Sequence, residues 1–365
     1  LNATMNDTVT VTAVDGTTHD ITITITGTND APVILQGDGN DNDLYGADND
    51  DIIDGLDSND TISGFGGDDI LNGDGGNDVL DGGEGADTLT GGSGSDTLIG
   101  GSGADTLNGG SGFDWASYRT ATEGVVVNLS DTSQNTGDAA GDQYSDIDMY
   151  EGSAFDDTLT GNSGTNFLAG GEGDDTISGG AGNDALVGGL GADVLDGGEG
   201  FDNVAYVYAT SGVTVDLANS ANNTGEAFGD TFNSIEMVQG SQFDDTITGD
   251  TGNNWLYGYG GNDTVNGGAG ADVIFGNDGS DILSGGTGAD TFYFLASDTG
   301  TDTVTDFEDD LDLLNLQFTD FTSTQQVLDA ASSSGADTVI DLGAGDSIVL
   351  QNFAFSNFNE TDFLV

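Results

Sequence analysis

An aspartate recurs every nine residues over a long stretch of this chain: Asp51, Asp60, Asp69, Asp78, Asp87, Asp96, Asp105 and Asp114. The spacing returns in Asp157, Asp175, Asp184, Asp193 and Asp202, and again in Asp245, Asp263, Asp272, Asp281 and Asp290. Each occupies position 6 of a nonapeptide G-G-x-G-x-D-x-U-x, where U is a large apolar residue. Nine copies run from 37 to 117, six from 152 to 205 and six from 240 to 293, which makes 21. Asparagine takes the slot at Asn42, Asn166 and Asn254. The last two fall at the same place in a longer repeat, and their neutral oxygens should give vacant or low-affinity sites. With no cysteine in the chain, thiolate metal sites are excluded and only oxygen ligands remain in number.

Other chemistries find less support. A zinc protease needs two histidines on one helix face, and His19 is alone. No G-x-S-x-G elbow lies between a strand and a helix, and no second histidine exists to serve a serine. Carboxylate pairs abound, but nearly every close pair has a metal-binding explanation before a glycosidase one. DGNDND, 38 to 43, mimics an EF-hand loop, yet Asp43 stands where the loop glycine belongs and Asn49 where the glutamate belongs. Arg119 reads as a partner for a local carboxylate. Trp115 and Trp255 read as packing where inserts meet the repeats, with a sugar-stacking face as the other reading. The composition sets the frame: 66 acidic residues against one Lys+Arg give a formal charge of -65. Self-repulsion on that scale calls for counter-cations, and phosphate-rich partners such as nucleic acid are disfavoured. No apolar run is long enough to span a bilayer, and no N-terminal signal peptide is evident.

The elements that must position the carboxylates follow from the same period. Three residues, x-U-x, suffice for a short strand with one inward side chain, and the six residues G-G-x-G-x-D make a turn. Two turns and two strands, a pair of nonapeptides, form one coil of a flattened helix. Stacked coils would pair strands in parallel about 4.8 Å apart. Leu44, Ile53, Ile62, Leu71, Leu80, Leu89, Leu98 and Leu107 would then line one core, with Ala116 ending the series. Between stacked turns, carboxylates and carbonyl oxygens converge, which suits a hard cation of flexible coordination, Ca²⁺ rather than Mg²⁺. Residues 109–196 match 197–284 without a gap, so each long repeat is an insert of about 34 residues plus an array. The inserts end in QYSDIDMYE and TFNSIEMVQ, which put Asp148 and Glu236 in the carboxylate slot as degenerate rungs.

The 21 nonapeptides resemble those of RTX (hemolysin-type calcium-binding repeat) proteins. That resemblance implies an all-β fold of parallel β-roll arrays, with position-6 aspartates ligating Ca²⁺. It implies further ligands in the backbone carbonyls of positions 2 and 4. The carbonyls expected are those of Gly83, Gly85, Gly92, Gly94, Gly101, Gly103, Gly171, Gly173, Gly180, Gly182, Gly189, Gly191, Gly268 and Gly270. If each ion bridges turns n and n+2, arrays of nine, six and six turns hold about 15 ions.

The domain organisation expected is 1–33, a remnant of a β domain; 34–117, first array; 118–151, β-rich insert; 152–205, second array; 206–239, β-rich insert; 240–293, third array; 294–365, β-rich cap. In the first segment Ile21, Ile23 and Ile25 alternate with threonines, and TGTNDAPV resembles the last strand and linker of cadherin-like (VCBS-type) Ig-like repeats of bacterial surface proteins. Thirty-three residues are too few for a whole sandwich of about 100. The cap should hold strands within 301–318, a helix at 323–331 with Ser323 as N-cap and Gln326 at the capping-box position, and a hairpin at 337–353 around Gly343-Ala344-Gly345. Its end, Glu360, Asp362 and Phe363-Leu364-Val365, resembles the uncleaved type I secretion signal of RTX exoproteins. The expectation is therefore a non-enzymatic, secreted, extracellular or cell-surface calcium-binding protein that engages type I secretion machinery. It would be part of a large adhesin, or a protomer of a filament or surface layer that self-associates head-to-tail through its N-terminal strands. The alternative is the calcium-binding and secretion module of an exoenzyme.

Overall fold

One apolar side chain per nonapeptide is too little for an isolated strand to stay folded, so each repeat must find its core on its neighbours. In the computed structural model the repeats do so by stacking. The structure describes residues 32–365 and the backbone of the two-residue strand Thr22–Ile23. The chain divides into two compact units, Leu1–Thr158 and Leu159–Val365.

In the first unit, alternate repeats go to opposite sheets. One sheet stacks Asp43–Tyr45, Thr61–Gly66, Val79–Glu84, Thr97–Ser102 and Trp115–Ser117. The other stacks Ile34–Gln36, Ile52–Asp54, Ile70–Gly75, Thr88–Ser93 and Thr106–Ser111. All these pairings are parallel, and partners along the arrays are two repeats apart (Val79 with Thr97, Thr88 with Thr106). The eight expected core residues Leu44 to Leu107, and Ala116 after them, are wholly buried between the sheets. Each buried leucine or isoleucine contributes roughly 1.5–3 kcal/mol.

Many strands are twice the expected length. Val79–Glu84 includes positions 1 to 3 of the following turn, because Gly83 pairs with Gly101 and Glu84 with Ser102. Only positions 4 to 6 remain to turn the chain. Within the insert, Gln143–Ser145 pairs with Thr106–Ser111 and Met149–Glu151 with Trp115–Ser117, so the insert delivers one rung to each sheet. Thr22–Ile23 pairs in parallel with Asp43–Tyr45, as a further rung of the same stack. The rest of the expected N-terminal strands, and His19, lie outside the described residues.

The second unit repeats the plan. Thr176–Ala181 pairs with Val194–Glu199, and Phe167–Glu172, Ala185–Leu190 and Asn203–Ala205 stack in parallel. Its insert returns Thr231–Asn233 and Met237–Gln239 to those two sheets. Trp255–Gly260, Val273–Asp278 and Thr291–Leu295 continue one face, and Thr246–Thr248, Thr264–Asn266 and Ile282–Ser284 the other. The cap joins this stack instead of folding apart from it. Leu313–Phe318 pairs with Thr291–Leu295, and Asp346–Leu350 pairs in parallel with Thr301–Val304. The hairpin forms as expected, from Asp337–Gly343 and Asp346–Leu350, with Ala344 left-handed at φ 57. The helix is Thr324–Ala330 with Ser323 as N-cap, but the expected capping box is not made. Ser323 caps with no side-chain hydrogen bond, and Gln326 Oε1 instead accepts from the N–H and hydroxyl of Thr322, at 2.7 and 3.0 Å.

Candidate metal centre

The position-6 side chains of every copy are buried, none more than 6% exposed. The strand-turn pattern explains why. Position 8 points into the core, so position 6, two residues earlier on the same side, points inward just where the chain turns. An ionised carboxylate there needs strong partners.

In the aspartate copies one oxygen is served by the neighbouring coil. Asp69 Oδ1 accepts the N–H of Asp51 at 2.7 Å, Asp87 Oδ1 that of Asp69 at 2.7 Å, and Asp105 Oδ1 that of Asp87 at 2.8 Å. The same bond links Asp263 to Asp281 and Asp272 to Asp290, both at 2.8 Å. The ladder is a column of side chains, each bonded to the backbone one coil before it.

The remaining oxygen, which in Asn42, Asn166 and Asn254 is the only one, divides the copies into two kinds. In six copies it accepts from the N–H of position 2 of its own turn: Asp38 to Asn42, Ala47 to Asp51, Ser153 to Asp157, Asn162 to Asn166, Ser241 to Asp245 and Asp250 to Asn254, at 2.5–2.9 Å. In the other fifteen copies position 2 has positive φ, which turns its peptide away. Ten of these residues are glycine (Gly83, Gly92, Gly101 and Gly110 among them), and five are Leu56, Phe65, Asp74, Tyr259 and Asn277, at φ 65 to 79. Bulky residues in that region are strained by about 1–3 kcal/mol, and such strain gathers where function requires it. In these copies Oδ2 of Asp60, Asp69, Asp78, Asp87, Asp96, Asp105, Asp114, Asp184, Asp193, Asp202, Asp263, Asp272 and Asp281 is buried with no hydrogen-bond partner.

The orphaned oxygens face others of the same polarity. A Cβ built on Gly73 would lie 2.3 Å from Oδ2 of Asp78 and 2.6 Å from the carbonyl oxygen of Gly91, one coil on. At position 2 of Gly101 it would lie 2.1 Å from the Gly83 carbonyl oxygen, and at position 4 of Gly103 it would lie 1.5 Å from that of Gly85. The carbonyls of Gly92 and Gly94, Gly171 and Gly173, Gly180 and Gly182, and Gly268 and Gly270 point in the same way at the coil above. A side chain is thereby crowded out of position 1, which is glycine in every copy, and of positions 2 and 4 where glycine stands, while Leu56, Phe65, Asp74, Tyr259 and Asn277 show that position 2 also admits a side chain held left-handed. The donor set is carboxylate and carbonyl oxygen only, and it fits a hard divalent cation. The position-1 carbonyl beside the carboxylate was not legible from residue types, because position 1 is simply one more glycine.

The electrostatics point the same way. Burial raises the carboxyls of Asp69 and Asp105 to about 7, and the charges of neighbouring aspartates add to the rise. Asp263 is pushed to about 8 by burial, with further push from Asp281, Asp245 and Asp244. The fold thus holds like charges in contact without a compensating cation from the chain. Burial raises the carboxyl of Asp81, and Arg119, the single basic residue besides His19, only partly offsets that rise.

The carboxylate columns extend past the nonapeptides. Asp148 and Glu236, the expected degenerate rungs, accept the N–H groups of Asp114 and Asp202 at 2.8 Å each. Four further members carried no repeat signature: Asp142, Asp230, Asp302 and Asp312 accept from Asp105, Asp193, Asp281 and Asp290 at 2.9–3.1 Å. The tyrosines Tyr118 and Tyr206 donate their hydroxyls to Asp142 and Asp230, at 2.7 and 2.6 Å. A second ladder runs along position 5, where Asp50 accepts from Asp68 and Asn59 from Asn77. The run of Asp and Asn at position 5 of the first five copies (Asp41, Asp50, Asn59, Asp68 and Asn77) was its available signal. Trp115 and Trp255 pack edge-on against Phe113 and Phe201, with ring centres 6.4 and 5.5 Å apart.

The RTX calcium-binding nonapeptide repeat, in its four-copy form, matches residues 45–80, 81–116, 144–177, 170–204, 239–274 and 261–292, just over half of the chain. No curated protein matches it. Among solved structures, the extracellular lipase LipA from Serratia marcescens is similar at 21% identity and a TM-score of 0.30, over 57% of this chain and 40% of the lipase. The AlgE6R3 subunit from the Azotobacter vinelandii mannuronan C5-epimerase is similar at 26% identity and a TM-score of 0.29, over 34% of this chain and 78% of that one. The chain thus spans less than half the length of the lipase.

Proposed function

The chain belongs to the RTX calcium-binding nonapeptide repeat family, and from that premise we propose that it is a calcium-folded structural protein with about 15 ions in its three arrays. One observation carries the count. Position 2 is left-handed in every copy that has another copy one coil before it in the same array, and in no other copy. The first two turns of each array close their position-6 side chain on their own backbone, and in every later turn position 2 turns away from it. Seven, four and four such left-handed turns are the numbers that bridging of turns n and n+2 requires. By this reading Asp51 and Asp245, with Asn42, Asn166 and Asn254, only complete sites opened by the turn above. Ions carrying about +30 would offset nearly half of the -65, so removing them should unfold the chain. Circular dichroism during EGTA titration tests this: the β spectrum should collapse, and one unchanged without calcium refutes calcium-driven folding.

The setting we propose is extracellular. A chain this acidic would stay unfolded in calcium-poor cytosol, pass through a type I exporter and fold on reaching calcium outside. Deleting residues from about 310 onward should then retain the protein in the cell, and normal secretion of the truncated chain would count against it. The role is that of a large adhesin's calcium-stiffened region, or of a surface filament whose protomers associate head-to-tail through N-terminal strands. Monomers by electron microscopy in millimolar calcium, with and without residues 1–33, would end the filament reading. The seven-segment division of the chain belongs to the same proposal. An exoenzyme's calcium-binding module is the second reading, and the sequence preceding residue 1 in the gene decides between them.

A further inference from the structure

Asp309, Asp310 and Asp362 lie outside the nonapeptides, well beyond the last position-6 aspartate, Asp290. One carboxylate oxygen from each falls within 4.8 Å of the others. Three carboxylates in that space repel one another; Asp309 and Asp310 are exposed, and Asp310 Oδ1 accepts the Thr361 hydroxyl at 2.7 Å, a bond that an asparagine there could still accept. Asp362 is wholly buried; its Oδ2 accepts the Asn359 N–H at 2.7 Å, while its buried Oδ1 makes no hydrogen bond of normal geometry, although the Asp310 N–H is near enough to pull on the carboxyl. Burial and the neighbouring Asp309 and Asp310 charges hold its carboxyl above the usual carboxylate range, against the pull of the Asn359 and Asp310 N–H groups. A buried charge is retained only where it is paired or coordinates a metal. Among the described residues of the cap there is no lysine or arginine to pair it.

We propose that Asp309, Asp310 and Asp362 hold a calcium ion of their own, separate from the arrays, which latches the strand Phe363–Leu364 onto the roll. The donor set is all oxygen, which selects a hard cation over zinc or copper. Its open side leaves room for water, as calcium's flexible coordination tolerates. The latch follows from where Asp362 stands. Its carbonyl accepts the Leu314 N–H at 2.8 Å, and the next two residues pair with Leu314 and Asn315. That strand is two residues long and has few bonds of its own. Fixing the Asp362 side chain to the segment 309–310 fixes the start of the strand, and calcium-poor surroundings would release it.

The sign of one substitution separates this from a mere acidic cluster. Asp309→Asn with Asp310→Asn removes two ligands if an ion is present, and only repulsion if none is. In the full chain at saturating calcium, native mass spectrometry should show one ion fewer than the wild type. Hydrogen exchange of 359–365 should be faster by tenfold or more, with the arrays unchanged. Asp329→Asn with Asp341→Asn removes the same charge from positions elsewhere in the cap and should change neither. An unchanged ion count, or slower exchange as repulsion is relieved, overturns the site. A lost ion with unchanged exchange overturns the latch.

Discussion

Substituting Gly92 by alanine tests the claim that the open turns are built by close approach of stacked backbone carbonyls. Gly92 occupies position 2 at φ +115, and a Cβ there would sit 2.2 Å from the carbonyl oxygen of Asp74, one coil earlier. The backbone conformation alone costs alanine about 1–3 kcal/mol. Relieving so short a contact must move a coil or turn the carbonyl away, at about 1–3 kcal/mol more by analogy with overpacked cores. Together these come to about 2–6 kcal/mol. Gly39 is the internal control, the same residue type in the same array, with nothing within 4 Å of its added Cβ and no left-handed backbone. Gly39→Ala should leave stability unchanged or slightly raised, since alanine narrows the unfolded ensemble. With a urea slope of about 2 kcal/mol per molar, Gly92→Ala should lower the midpoint at saturating calcium by ~1 M or more. Its calcium titration should also move to higher concentration, since folding and binding are linked. Midpoints for the two variants within ~0.2 M of each other would refute the stacked-carbonyl account of the site.

The remaining predictions concern charge. In EGTA the chain should be more structured near pH 5 than near pH 8. The folded carboxyls of Asp60, Asp69 and Asp263 are raised to about 6, 7 and 8, above an unfolded value of 3.8. Their contribution is therefore fully present below pH 3.8 and is lost as pH rises through 6 to 8. With calcium bound the proton is displaced, so the calcium midpoint should rise as pH falls below about 7. A dichroism signal in EGTA that grows with pH would contradict this. Asp87→Ala removes both an orphaned oxygen and the acceptor for the Asp69 N–H, so calcium stoichiometry should fall and exchange quicken in neighbouring coils of the first unit. Exchange at 240–293 should stay as it was, and unchanged stoichiometry would remove position 6 from the ligand set.

How much of this was legible without coordinates depends on whether a feature is local. The nonapeptide is a local signal, so the two-repeat coil, the parallel pairing, the buried column Leu44 to Leu107 and the inward carboxylate slot could all be read from period and residue type. The hairpin around Ala344 was readable for the same reason. What tertiary structure alone decided is what each carboxylate meets. Asp51 and Asp60 are identical in sequence terms, yet one oxygen of Asp51 is held by the N–H of Ala47 and that of Asp60 is left open. The cause lies one coil before each turn, where Asp60 has a copy below it to meet and Asp51 has none. Asp142, Asp230, Asp302 and Asp312 entered the columns for an equally non-local reason, since irregular loops return them to the height of the next coil. A repeat states its own shape, but the partner of a buried charge is set by the neighbouring coil, and only the assembled stack determines which residue stands there.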